Sequence, residues 1–172
     1  VRERLDSTTM VIRYVCDTCL LPIGYPNAKE IENLGIRDSK LLTKTKRKEL
    51  AEIIKEKFIF AVEIIEPQIV DEYRKKNKLN DLNREAFTNL ISKLNPNVAY
   101  VDAADVNEQR FGLQIKSGLT NQKDTDIISM HKADAKILVV AAASIIAKET
   151  RENEIRKLKD ENRRSNEGLP NG

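Results

Sequence analysis

Two aspartates combine a residue type and a position that suit metal chemistry. Asp102 follows the short apolar segment 98–101, and Asp134 precedes the apolar segment 137–147. Carboxylates at element ends on one edge of a sheet are suitable ligands for a hard divalent cation such as Mg²⁺. Paired cations of this kind drive the attack of water on a phosphodiester. The alternative interpretation is that both aspartates cap helices or lie in solvated loops.

Other polar residues of possible chemical importance have simpler interpretations. Asp105 is predicted to cap the helix that follows it, with Glu108 completing a capping box. His131 could assist proton transfer near a metal, although a surface position also accounts for it. Cys16 and Cys19 have metal-site spacing, but zinc normally needs four ligands and His131 is the only histidine. We therefore interpret the cysteine pair as incidental.

The elements that must position these residues are predicted to alternate between strands and helices. Apolar, β-branched segments predict four strands: 10–16, 58–65, 98–101 and 127–131. Helical periodicity and capping residues predict five helices: one after the N-cap Thr43, 66–76, 81–94, one after Asp105, and 136–163. A turn is expected at 132–134. This order favours an α/β layered domain.

The composition is that of one folded domain. The chain has 172 residues, of which 40% are hydrophobic and 33% charged, so it excludes collagen-like, low-complexity and wholly disordered classes. We expect a single domain over 1–172, with loose ends at 1–9 and 165–172. The net charge of +3 permits a polyanion partner without requiring one. Only two cysteines occur and no positively charged start leads into an apolar stretch, so we expect a cytoplasmic protein. The longest apolar stretch is well short of the roughly 20 residues that a membrane span needs, so we expect no membrane partner.

Three longer motifs lie in order along the chain. They are Ile36-Arg-Asp-Ser-Lys-Leu-Leu-Thr43, Tyr100-Val-Asp-Ala-Ala-Asp-Val106, and His131-Lys-Ala-Asp134 leading to Val139-Val-Ala-Ala-Ala-Ser-Ile-Ile-Ala-Lys-Glu-Thr-Arg151. They resemble, in order and separation, three motifs of the ribonuclease HII family in its archaeal form. The likeness covers about residues 10–170, and three ordered motifs make an accidental match improbable.

The resemblance implies an RNase H-like mixed sheet flanked by helices. It also implies an endoribonuclease that cleaves the RNA strand of RNA/DNA hybrids, or single ribonucleotides embedded in a DNA duplex, by two-metal-ion hydrolysis. Four acids bind Mg²⁺ or Mn²⁺ in the family pattern, and Asp102 and Asp134 match the third and the fourth. We expect the protein to be a monomer.

The resemblance also implies contacts to nucleic acid. Ser39 and Lys40 match a family loop that contacts the nucleic-acid backbone, where a lysine supplies a point charge to phosphate. Three further cations lie near the acids in the motifs and are predicted to face phosphate: Lys132, Lys148 and Arg151. The alternative is that these cations are solvated or balance local acids.

The sequence departs from the family pattern at both ends. The family's first strand ends in Asp-Glu-Ala-Gly-Arg-Gly, which provides the first two metal carboxylates, and no such string occurs here. Glu3 and Asp6 are the only acids in 1–9, and Leu169 stands where the family has a tyrosine. The likeness stops before the family's C-terminal helices. We therefore expect the first strand to be absent or altered.

Three functional hypotheses follow. The first is the metal-dependent ribonuclease. The second is a truncated or diverged, catalytically impaired family member that only binds nucleic acid, for which hybrid binding would be sensitive to salt and unaffected by Mg²⁺. The third is a redox or metal-structural module built on Cys16 and Cys19. A change of Cys16 to serine that leaves stability and metal content untouched would exclude the third.

Overall fold

The structure is a computed structural model that describes residues 28–36, 42–58, 60–120 and 125–167. The predicted strand at 10–16, the cysteine pair, Ser39 and Lys40 lie outside these ranges. In the described ranges, no helix is long and apolar enough to cross a membrane.

The described chain combines seven helices with two parallel strands, which confirms the α/β class. In chain order the elements are α1 (Ala28–Asn33), α2 (Lys44–Lys57), α3 (Pro67–Lys75), α4 (Leu79–Leu94), β1 (Val98–Asp102), α5 (Glu108–Gly118), β2 (Asp126–Met130), α6 (Ala133–Lys136) and α7 (Leu138–Glu167).

The two strands pair in parallel, with Val98 opposite Asp126 and Asp102 opposite Met130. Parallel strands need a long crossover connection, and α5 provides it. Helix α5 packs against β2 and also against α4. Ala99 and Val101 of β1 are fully buried, so this strand lies inside the core.

Local sequence signals account for several helix ends. The Thr43 side chain accepts a hydrogen bond from the Lys46 amide at 3.2 Å, which confirms Thr43 as the N-cap of α2. Pro67 occupies the first turn of α3, where its missing N–H costs nothing. Helix α4 ends at Leu94, and its C-cap Asn95 adopts the left-handed conformation with φ 49°.

The described core has two large parts. One is formed by α1, α2 and the apolar first half of α7. The other is formed by α4, β1 and α5. Residues 60–65 run between them: Phe60 and Val62 pack against the first part, and Ala61 and Ile65 against the second. The segment therefore buries side chains on both sides.

The prediction of a strand at 58–65 was wrong. The segment alternates its side chains as a strand does, but in the described residues only an isolated bridge at Val62 forms. A strand requires a continuous hydrogen-bonded neighbour as well as apolar alternation, and no described element provides one.

The predicted turn at 132–134 and helix at 136–163 are instead two helices, α6 and α7, that meet at Ile137. Ile137 is extended, with φ −120° and ψ 116°. Its amide donates to the Ala133 carbonyl at 2.9 Å, and its carbonyl accepts from Ala141 at 3.0 Å. One residue thus ends α6 and starts α7. Helix α7 then continues to Glu167, so residues 165–167 are helical rather than loose.

The packing of α5 on β2 generates a stability prediction at Gly112. A Cβ atom at this position would lie 3.0 Å from the Ser129 Cβ and 3.6 Å from the Ile127 Cγ2. Gly112→Ala improves helix propensity by up to about 1 kcal/mol, but overpacking costs about 1–3 kcal/mol. We expect a net decrease in the free energy of unfolding, measured by urea denaturation.

The matched control is Ser117→Ala, on an exposed position of the same helix. This change should leave the free energy of unfolding unchanged or slightly higher. A Gly112→Ala variant more stable than the wild-type chain would contradict the tight packing of α5 on β2.

Candidate active site

The carboxyl ends of the two parallel strands meet at one edge of the sheet. Asp102 is the last residue of β1, and it lies opposite Met130, the last residue of β2. The amide of Ala103 donates to the Met130 carbonyl at 3.0 Å, which extends the pairing by one bond. The segments that follow β1 and β2 therefore begin next to each other at this edge of the sheet.

A hydrogen bond connects the first candidate carboxylate to the segment that holds the second. The amide of Ala133 donates to Asp102 Oδ1 at 3.3 Å. Ala133 is fully buried and directly precedes Asp134 in the first turn of α6. Both aspartates are half-buried. Although 31 residues separate Ala133 from Asp102 along the chain, the fold brings the two candidate positions to one edge.

The turn between β2 and α6 has a strained backbone. Lys132 adopts the left-handed conformation, with φ 56° and ψ 43°. For a residue other than glycine this conformation costs about 1–2 kcal/mol. Such a conformation persists only where the surrounding structure holds it. Hydrogen bonds to His131 and Ala133 flank Lys132 on both sides and provide that restraint.

His131 is an exposed residue, in agreement with the simpler interpretation, but it has two contacts. Its amide donates to Glu108 Oε2 at 2.9 Å. Its Nε2 lies 3.2 Å from the Val106 carbonyl oxygen, and donates to it in the tautomer that protonates Nε2. Sequence reasoning missed the contact between Glu108 and His131, because these two residues are 23 positions apart and no local pattern connects them.

The prediction that Asp105 caps a helix was wrong. Helix α5 begins two residues later than that prediction requires, and its N-cap is Asn107, whose side chain accepts from the Arg110 amide at 2.9 Å. Asp105 Oδ1 instead accepts the Asn107 amide at 3.2 Å. Glu108 contacts His131 rather than the Asp105 backbone. Asn is as good an N-cap as Asp, so the side chain of Asn107 performs the role that was predicted for Asp105.

Asp105 instead forms an ion pair with Arg110, whose own side chain is largely exposed. Its carboxylate accepts from Arg110 Nε at 3.1 Å, and from Nη2 at 2.6 and 2.8 Å. Asp105 is 8% exposed. Hydrogen bonds from Arg110, and then from the Asn107 amide, hold the pKa of Asp105 below its ordinary value. The same pairing raises the pKa of Arg110. The ion pair fixes the loop that follows Asp102 to α5.

The predicted nucleic-acid residues that the structure describes lie on two different elements, the turn before α6 and the helix α7. Lys132 is exposed and lies between the two restrained residues of the turn. Lys148 and Arg151 are half-buried on α7. At 1.5 Å per residue they lie about 15 and 20 Å from the start of that helix. Ser39 and Lys40 lie outside the described residues, so their predicted role stays a prediction.

The donor chemistry of the two aspartates fits a hard divalent cation. In the described part of the chain, no group of three or more His, Cys, Asp or Glu side chains is placed to hold a metal ion. Mg²⁺ does not require such a group, because it often binds through one or two carboxylates and takes its other ligands from water and substrate phosphates. The carboxylates of Asp102 and Asp134 are oxygen donors of this type.

The chain matches the family model for ribonuclease HII over residues 18–171. It is 40% identical over 143 residues to the ribonuclease HII of Methanocella arvoryzae, covering 83% of this chain and 63% of that protein. It is 43% identical over 135 residues to the ribonuclease HII of Methanosarcina barkeri, covering 74% and 60%. The chain therefore spans about three fifths of the length of these relatives.

Solved structures agree with this assignment. The chain is similar to a chain of the PCNA:RNase HII complex from Archaeoglobus fulgidus, with a TM-score of 0.73 and 35% identity, over 80% of this chain and 66% of that one. It is also similar to the ribonuclease H2 of Pyrococcus horikoshii OT3, with a TM-score of 0.70 and 38% identity, over 78% and 63%. The expected RNase H-like fold is confirmed.

The Asp105 ion pair predicts a specific dependence of stability on pH. Because the pKa of Asp105 is lower in the folded than in the unfolded chain, its contribution is fully present above about pH 4, near the unfolded value. The contribution is lost as the pH falls through the folded value. The difference in free energy of unfolding between wild type and Asp105→Asn should be largest near pH 7 and shrink below about pH 4.

Urea denaturation between pH 7 and pH 3 measures this difference. Asp126→Asn is the control, since Asp126 is exposed and its contact with Lys116, at 3.7 Å, is longer. This variant should differ little from wild type at each pH. An Asp105→Asn difference that stays constant with pH would contradict the ion pair.

Proposed function

The chain belongs to the ribonuclease HII family, and on that basis we propose that it is an endoribonuclease. Its proposed substrate is the RNA strand of an RNA/DNA hybrid, or a single ribonucleotide embedded in a DNA duplex. One observation supports the proposal. The bond from the Ala133 amide to Asp102 connects the end of β1 to the turn that leads into Asp134, so the backbone positions of both candidate ligands lie at one edge of the sheet.

Asp102 and Asp134 are the proposed ligands of Mg²⁺ or Mn²⁺. When bound, the cation supplies Lewis-acid polarisation of the phosphodiester and activation of the attacking water. Asp102 Oδ1 accepts the Ala133 amide, and this bond orients the carboxylate. The two-metal-ion form of this chemistry requires further oxygen ligands, and the family's first two carboxylates have no match in this sequence. We therefore expect a metal affinity below that of a four-carboxylate site.

Lys132 lies close to the candidate metal ligand Asp134 in the chain, and we propose that it binds the scissile region of the substrate. It is exposed, and it lies in the turn between the restrained His131 and Ala133. Its charge offsets the repulsion between the aspartates and a phosphate group. We propose that Ser39, Lys40, Lys148 and Arg151 bind phosphates further along the nucleic acid. Such contacts predict an affinity that falls as the salt concentration rises.

A second candidate function is nucleic-acid binding without cleavage. The observation that favours it is that, among the residues the structure describes, no third His, Cys, Asp or Glu joins the two aspartates in a metal-binding group. Under this alternative the chain binds hybrid duplex through its cations, and divalent metal has no effect on the affinity.

The experiment that separates these functions is nicking of a labelled DNA duplex that contains one ribonucleotide, in the presence of Mg²⁺ or Mn²⁺. We expect the wild-type chain to cut on the 5′ side of the ribonucleotide and to leave an all-DNA duplex intact. Asp102→Asn should reduce the rate more than about tenfold, which corresponds to about 1.4 kcal/mol. Binding of the duplex should stay or strengthen, because a negative charge facing phosphate has been removed.

The design separates loss of charge from loss of fold. Asparagine at 102 keeps the oxygen that accepts the Ala133 amide, so the turn stays attached. Asp126→Asn is the control, because this exposed aspartate lies at the opposite end of β2; its rate should equal that of wild type. Equal rates for wild type and Asp102→Asn would contradict the assignment. If the folded chain does not nick the duplex, and its binding of the duplex depends on salt but not on Mg²⁺, the binding function is indicated.

A further inference from the structure

Two loops carry the segments on either side of the candidate metal edge, and one side chain connects them. The loop 103–107 follows Asp102, and the turn 131–132 leads into α6, which contains Asp134. Glu108, at the first position of α5, accepts the His131 amide at 2.9 Å. The His131 ring in turn contacts the Val106 carbonyl at 3.2 Å.

Two hydrogen bonds restrain the turn, one on each side of Lys132. On one side of Lys132, Asp102 accepts the Ala133 amide. On the other side, Glu108 accepts the His131 amide. Lys132 itself is in the left-handed conformation, which a lysine adopts only under restraint. Loss of either bond would let the turn relax and would change the position of Asp134 relative to Asp102.

We propose that Glu108 is a positioning residue of the active site, acting through the backbone of His131. Its carboxylate holds the turn in the conformation that presents Ala133 to Asp102. The inference rests on the proposed function, since it concerns the geometry of the proposed metal ligands. The role differs from that of an ordinary acid in the first turn of a helix, which stabilises the helix by its charge alone.

Two substitutions separate the contact from the charge. Glu108→Gln removes the charge but keeps an oxygen at the same reach, so it still accepts the His131 amide. Glu108→Asp keeps the charge at the helix N-terminus, but its side chain is one methylene shorter and cannot reach His131 without movement of the backbone. Gln109→Ala, at the next and exposed position of α5, is the control.

The first measurement is amide hydrogen exchange in the metal-free chain. We expect Glu108→Asp to accelerate exchange at Ala133 and His131 about fivefold or more. The second is calorimetric titration of Mn²⁺, where its affinity should fall about tenfold or more. The third is nicking, where kcat should fall more than KM rises. Glu108→Gln and Gln109→Ala should match wild type in all three measurements. The wild-type behaviour of Glu108→Gln is not expected if Glu108 acts only through its charge.

The outcomes distinguish a failure of the positioning role of Glu108 from a failure of the proposed function. Wild-type binding of Mn²⁺ and wild-type nicking, together with unchanged exchange and affinity in Glu108→Asp, would overturn the positioning role alone. Impairment of Glu108→Gln to the same degree as Glu108→Asp would overturn it as well, because charge would then be what matters. A folded wild-type chain that neither binds Mn²⁺ nor nicks would overturn the proposed function, and the positioning role with it.

Discussion

The parallel pairing of β1 with β2 is the constraint on which the candidate site depends. Parallel strands have their carboxyl ends at the same edge, so Asp102 and Met130 end opposite each other. The crossover helix α5 must pack closely on β2, and Gly112 permits this approach. The pairing also explains why two motifs far apart in the chain reach one place. With an antiparallel pairing, the carboxyl ends would lie at opposite edges.

Strand pairing alone does not orient the groups at this edge. A small set of side-chain hydrogen bonds attaches the loop and the turn that follow the two strands. The Asp105–Arg110 ion pair attaches the loop after β1 to α5. Glu108 and Asp102 accept the amides on the two sides of Lys132. Side-chain carboxylates thus fix the backbone near the site, in addition to providing the proposed metal ligands. These hydrogen bonds restrain the backbone where the proposed chemistry requires fixed distances.

Local signals in the sequence predicted much of this fold, whereas the features that depend on contacts between distant residues were not predicted. The N-cap at Thr43 and the strand ending at Asp102 depend on neighbouring residues, and both were correct. The strand at 58–65 was wrong, because a ladder needs a partner that apolar alternation does not specify. The contact of Glu108 with His131 has no sequence pattern, since it exists only after β2 has paired. The single-domain organisation and the nucleic-acid residues stay predictions.

In the proposed function, Asp102 and Asp134 share a divalent cation at the carboxyl edge of the sheet. Paramagnetic broadening of backbone amide signals during a Mn²⁺ titration locates such an ion, because the broadening falls steeply with distance from it. We expect Ala103, Ala133 and Asp134 to broaden first, and Thr125, before the start of β2 and more than about 13 Å from its carboxyl end, to broaden much later. Equal broadening at both ends of β2, or broadening that begins elsewhere, would contradict this shared site.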